Sequence, residues 1–212
     1  MPGCPYFIAN TFGHLLFALL FTGVSAENPI IADIHKKPLT NFGLFISTMP
    51  LLYFIMVGAN GPAKYVVAIV FCLLLGQSLS GLANRLAMTG QLSSVLTNTA
   101  VVFCSMCLVG FLDNQNLLGF ELYLGAALVA LLLVYIGTLF IPAKERAELG
   151  LNVWVSRIVV LLFTFYVAFD VEVLKERALI CKKGGADYVV ESVNLYLDFL
   201  NLFSGFSSFS NS

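Results

Sequence analysis

Hydrophobic residues fall in long runs along this chain, and polar residues gather in the short gaps between them. A membrane-crossing helix takes about 17–25 predominantly apolar residues. Seven runs meet that length, over roughly residues 6–26, 41–57, 63–82, 92–112, 120–141, 153–173 and 188–206. The gaps carry chain-breaking punctuation. They include Glu27 through Pro38, Gly58-Ala-Asn-Gly-Pro62, Asn84 through Gln91, Asp113-Asn-Gln-Asn116, Pro142 through Arg146, and Lys175 through Gly185. All are short, and no internal repeat is visible. The pattern predicts an all-α protein, a polytopic membrane bundle of seven transmembrane helices, with residues 1–212 forming a single membrane domain.

Two carboxylates break the apolar pattern of the last two runs. Asp170 closes the run from Ile158 to Phe169, and Asp198 sits within Asn194-Leu-Tyr-Leu-Asp198-Phe-Leu-Asn-Leu-Phe203. A carboxylate at membrane depth costs roughly 2.5–3.5 kcal/mol even on forgiving scales, so it calls for a partner or a task. At about 100° per residue, Asp187, Glu191, Asn194, Asp198 and Asn201 lie within about 80° of one another on the last helix. Lipid cannot satisfy such a stripe, so it is expected to face the bundle interior or a water-filled path. Asp170 is joined by Glu172 and Glu176, which makes the end of the sixth helix acidic as well.

Composition agrees with the pattern. The chain is 59% hydrophobic and 11% charged, with a mean hydropathy of +0.91, whereas soluble domains carry about 25% charged residues. The net charge of −1 and the lack of a Lys/Arg run leave no footprint for nucleic acid. Five cysteines imply no disulfide framework, and Cys104-Ser-Met-Cys107 reads as two small buried hydrophobes in a membrane helix. No cofactor and no enzymatic activity are implied. Residues 15–21 have the character of a signal-peptide core, with Val24-Ser25-Ala26 where cleavage would fall. The absence of Lys or Arg before them favours a first transmembrane helix. Orientation stays open, because Lys64, Lys175, Arg177, Lys182 and Lys183 on one side balance Lys36, Lys37, Arg85, Lys144 and Arg146 on the other.

If Asp170 and Asp198 meet, their chemistry is that of a coupled pair. Two carboxylates about 4 Å apart at an effective dielectric of about 20 repel by roughly 4 kcal/mol, so the pair is expected to share one proton. Protonated, it closes on itself through a hydrogen bond. Deprotonated, it repels and offers oxygen ligands suited to transient Ca²⁺ binding by Asp170 and Asp198. Glu191, Asn194, Asn201, Asp187 and Glu172 would line the supporting polar stripe.

The carboxyl-terminal quarter resembles the Bax inhibitor-1 family, also called the transmembrane Bax inhibitor motif family. Phe169-Asp170-Val171-Glu172 is similar to the family's aromatic-Asp-Thr-Gln ending of the sixth helix. Asp187-Tyr188-Val189 resembles its Asp-Tyr-Ile start of the seventh, and residues 194–203 are similar to its Asn-Leu-Tyr-Leu-Asp signature. Gly58 through Pro62 resembles its glycine-rich turn ending in Gly-Pro. The resemblance implies a seven-helix Ca²⁺ leak channel gated by pH through an aspartate dyad, which carries onto Asp170 and Asp198. It implies residence in the endoplasmic reticulum, Golgi or another intracellular membrane, and suppression of cell death. The implied partners are the lipid bilayer, Ca²⁺, and Bcl-2-family or other membrane proteins. Val171 departs from the family's hydroxyl residue, and the short tail after Phe203 is compatible with a viral copy resident in a virion membrane. Three other classes compete. A seven-helix receptor would carry Asp-Arg-Tyr or Asn-Pro-x-x-Tyr switches, which this sequence lacks. An intramembrane aspartyl protease would place Gly-x-Gly before its second Asp, where this chain has Leu195-Tyr-Leu. A non-conducting membrane scaffold that keeps the fold is the main alternative.

Overall fold

The computed structural model describes residues 4, 6–28, 38–59, 61–112, 117–180 and 187–210, and they are almost wholly helical. Among the described residues eight helices follow in order: α1 (Phe7–Glu27), α2 (Pro38–Val57), α3 (Pro62–Met88), α4 (Leu92–Leu112), α5 (Glu121–Leu139), α6 (Ala143–Glu148), α7 (Leu151–Ile180) and α8 (Tyr188–Ser210). A 3₁₀ turn, Leu117–Phe120, leads into α5. Among the described residues four stretches are long and apolar enough to cross a membrane: α1, α3, α4, and Leu117–Thr138, which covers the 3₁₀ turn and most of α5. α2 contributes a shorter apolar stretch, Ile46–Val57. The expectation of seven such spans therefore stands at four by length and composition.

Helix ends depart from the apolar boundaries in a consistent way. α3 continues past Leu82 through Asn84 and Arg85 to Met88 and stops before Gly90, whose φ of +70° suits glycine. α7 continues past Val173 through Leu174-Lys-Glu-Arg-Ala-Leu-Ile180, all competent helix residues. Ala143–Glu148, expected to be loop, forms a short helix that ends before Gly150 at φ +60°. An apolar run marks where lipid would be, and the hydrogen-bonded helix extends beyond it. Pro62 opens α3 at its first turn, where its missing N–H costs nothing.

The chain packs as two units. The first comprises residues 1–92 and 176–196 and is organised by α3, which packs against α1 and α2. Gly76 lets the backbones close: a Cβ there would lie 2.5 Å from the Thr22 carbonyl oxygen. Polar groups reinforce the approach. Ser25 Oγ donates to the Leu73 carbonyl at 2.7 Å, and Gln77 Nε2 donates to the Ser25 carbonyl at 2.7 Å. Thr22 Oγ1 meets the hydroxyl of the fully buried Tyr196 at 2.5 Å. Small residues and interhelical hydrogen bonds are how helices associate where lipid removes the hydrophobic driving force.

The second unit comprises residues 93–175 and 197–212. Gly110 brings α4 against α7, since a Cβ there would fall 2.6 Å from the Ala168 carbonyl oxygen. Lys175 Nζ then donates to the Gly110 and Phe111 carbonyls at 2.9 and 3.1 Å, capping the end of α4 with a cation. Gly205 does the same for α8 against α7, with Val160 Cγ2 2.6 Å from its Cβ position. Phe103 and Phe199 meet edge to face at 5.5 Å. Cys4 is disulfide-bonded, a bond the cysteine pattern did not anticipate, and Cys72, Cys104 and Cys107 are free.

Candidate functional site

Asp170 reaches the site from α7 and Asp198 from α8, both in the second unit. The Gly205–Val160 approach and the Asp198–Asp170 approach pair rising numbers on one helix with falling numbers on the other, so here the two helices run antiparallel. The carboxyl groups are within hydrogen-bonding reach and act on each other as like charges. Asp198 is only 4% exposed, and its Oδ2 is buried with no hydrogen-bond partner. Asp170 is half-buried. Tyr166, one turn before Asp170, lies within electrostatic reach of both carboxyl groups, and Cys107 of α4 lies within reach of Asp198.

That arrangement has a chemical consequence. Two carboxyl groups hydrogen-bond only when a proton lies between them, because ionised carboxylates are acceptors alone. Desolvation makes the doubly ionised pair more costly still. Loss of the shared proton therefore turns the attraction between the two carboxyl groups into repulsion, and its return reverses the change.

The rest of the polar stripe is divided among other tasks. Glu191, 2% exposed, forms an ion pair with Arg177 in the first unit. Asp187 caps α8, accepting the Val189 N–H at 2.9 Å and the Val190 N–H at 3.4 Å, and it pairs with the buried Lys64. Lys64 also donates to the Gly58 carbonyl at 3.1 Å, tying the turn before α3 to the start of α8. Glu172 accepts the Leu117 N–H at 2.8 Å, fixing the 3₁₀ turn against α7. Asn201, half-buried, donates to the Leu197 carbonyl of its own helix at 2.8 Å. Such back-bonding within the helix satisfies one N–H of the amide. Asn194 is half-buried on α8.

Sequence reasoning missed the partners Arg177 and Lys64. Arg177 was within reach of a spacing argument. It lies seven residues after Asp170, as Glu191 lies seven before Asp198, so one antiparallel register predicts both pairs. An aromatic cluster was also missed. His14 stands edge-on to Tyr65 with centroids 5.5 Å apart and is 5.1 Å from Tyr188, while the Tyr65 and Tyr188 hydroxyls are hydrogen-bonded. Among the described residues, no group of three or more His, Cys, Asp or Glu is placed to hold a metal ion.

The chain has relatives among known proteins. The family described as "Inhibitor of apoptosis-promoting Bax1" matches residues 5–209. The chain is 28% identical to an uncharacterized protein of Rickettsia prowazekii (strain Madrid E), over 95% of this chain and 87% of that protein. It is 27% identical to an uncharacterized membrane protein of Streptococcus pyogenes serotype M3, over 82% of this chain and 75% of that protein. An uncharacterized protein of Borreliella burgdorferi is 26% identical, over 93% and 88%.

Proposed function

The chain belongs to the family of inhibitors of apoptosis-promoting Bax1, and from that premise we propose that it is a membrane cation leak. It passes Ca²⁺ down its gradient under the control of Asp170 and Asp198. The observation that carries this reading is Asp198, 4% exposed, held against Asp170 with Oδ2 left without a partner. A buried like-charge pair is a poor way to stabilise a fold, because an apolar pair of similar volume would pack there at lower cost. It is a good way to couple a proton to helix separation.

Two carboxylates supply at most four oxygens, and Ca²⁺ takes six to eight ligands at about 2.3–2.6 Å. Water must furnish the remainder. Such a site suits an ion in passage better than one in storage. Glu191, Asp187 and Glu172, each engaged by a cation or a backbone N–H, are supports for the helices rather than ligands.

The reading includes seven crossings. α7 and α8 have 30 and 23 residues, or about 45 and 35 Å at about 1.5 Å per residue, enough for a hydrocarbon core of about 30 Å. Their charges lower the apolar average, yet Glu191 and Asp198 are buried inside the protein and present no charge to lipid. Family membership supports a role in restraining cell death by lowering stored Ca²⁺, in an intracellular membrane. The relatives named above are bacterial, so what they can share with this chain is the membrane device and not an organelle.

The test is Ca²⁺ flux through purified protein in liposomes at about pH 6 and pH 7.5. Faster flux at the higher pH supports the reading. No flux above empty liposomes at either pH would contradict it and leave a non-conducting membrane scaffold.

A further inference from the structure

The second unit holds a feature that the dyad alone does not use. A groove of about 840 Å³ runs between α5 and α7, and its walls include Glu121, Leu122, Gly125, Val129, Tyr166 and Phe169. Glu121 is exposed in the first turn of α5. Tyr166 belongs to both places, lining the groove and lying within electrostatic reach of Asp170 and Asp198. Two other cavities, of about 150 Å³ beside His14 and about 330 Å³ beside Leu117, Phe120 and Phe165, offer a hydrated ion almost no polar surface.

We propose that this groove is the aqueous entrance through which a hydrated cation reaches the Asp170–Asp198 pair, with Glu121 gathering cations at its mouth and Tyr166 standing between groove and dyad. The proposal rests on the cation-leak reading. Size permits it: Ca²⁺ with about seven waters at about 30 Å³ each needs on the order of 200 Å³. Charge favours it, because a carboxylate at the mouth of a low-dielectric cleft raises the local cation concentration. The tyrosine hydroxyl gives the ion's water shell a hydrogen-bonding partner at the narrow end, where Leu122, Val129 and Phe169 give none. Register places the gate, since Tyr166 and Asp170 are one turn apart on the same face of α7.

The experiment introduces Gly125→Cys in a Cys104→Ser background. A Cβ at Gly125 meets nothing within 4 Å, so the substitution leaves the packing intact. A membrane-impermeant cationic methanethiosulfonate is added to reconstituted protein, with modification followed by mass spectrometry and Ca²⁺ flux measured in parallel. Reagent reaching the groove from water should modify the thiol and remove most of the flux. Leu133→Cys, on the same helix but 63% exposed outside the groove, should react at least about tenfold more slowly, because a thiol in lipid forms little thiolate, and its flux should persist. Glu121→Gln should lower the flux about two- to fivefold at low ionic strength and less at high salt. Ala126→Cys, also on the groove wall, serves if Gly125→Cys does not assemble. Full modification with unchanged flux, or a groove thiol as unreactive as the one at position 133, overturns the entrance and leaves the leak intact. Absence of flux in the unmodified wild type overturns the leak, and the entrance with it.

Discussion

Asp198 and Glu191 sit seven residues apart on α8, and both are buried, yet the structure treats them differently. Glu191 receives a guanidinium from Arg177, while Asp198 receives a second carboxyl from Asp170. The first arrangement holds helices together; the second can push them apart. Arg177→Met should therefore lower stability, leaving Glu191 without its counter-charge. A fully buried pair broken this way costs about 3–5 kcal/mol. Arg177 is 40% exposed, so the loss expected is smaller, on the order of 2 kcal/mol. Thermal unfolding in detergent measures it, and an unchanged midpoint would show that the pair contributes nothing. At this scale the sequence was half legible. A carboxylate inside an apolar run announces itself by its cost, so Asp170 and Asp198 could be found and matched. Lys64 could not, because it lies at the start of α3, 123 positions from Asp187 in the chain, and nothing local marks the pairing.

Helices in this protein meet through glycine at some places and stay apart at others, and the difference is measurable. Gly110→Ala would drive a methyl group against the Ala168 carbonyl and Val171, and overpacking of this kind costs typically about 1–3 kcal/mol. Gly125→Ala meets nothing within 4 Å and should stabilise α5 by up to about 1 kcal/mol through helix propensity. Opposite shifts in the unfolding midpoint are expected, and a fall in both would contradict the assignment of Gly125 to an open groove. Apolar runs located every long helix, because lipid-compatible length is a strong signal. They misplaced the ends of α3 and α7. Asn84, Arg85 and Lys175 through Arg177 look like loop by polarity but carry no breaker, and backbone hydrogen bonding continues until a glycine or another stop.

For the molecule as a whole, the number of crossings decides where its ends lie. Seven crossings put residues 1 and 212 on opposite sides of the membrane, and four put them on the same side. Epitope tags joined at each end, tested with impermeant antibody on sealed vesicles, should be reached one at a time. Simultaneous access to both, or to neither, would contradict seven. The proposed gate also needs crossing helices, since separation of α7 from α8 would open a path only if both span the bilayer. The most direct test of that gate is the pH response of Ca²⁺ flux in liposomes for the wild type, Asp170→Asn and Asp198→Asn, each at about pH 6 and pH 7.5. The wild type should conduct faster at pH 7.5, where the shared proton is more often lost and the two carboxylates repel. Either substitution leaves one ionisable group and no like-charge repulsion, so each variant should conduct at the same rate at both pH values. A wild-type pH response that survives in both variants would show that the gate lies elsewhere.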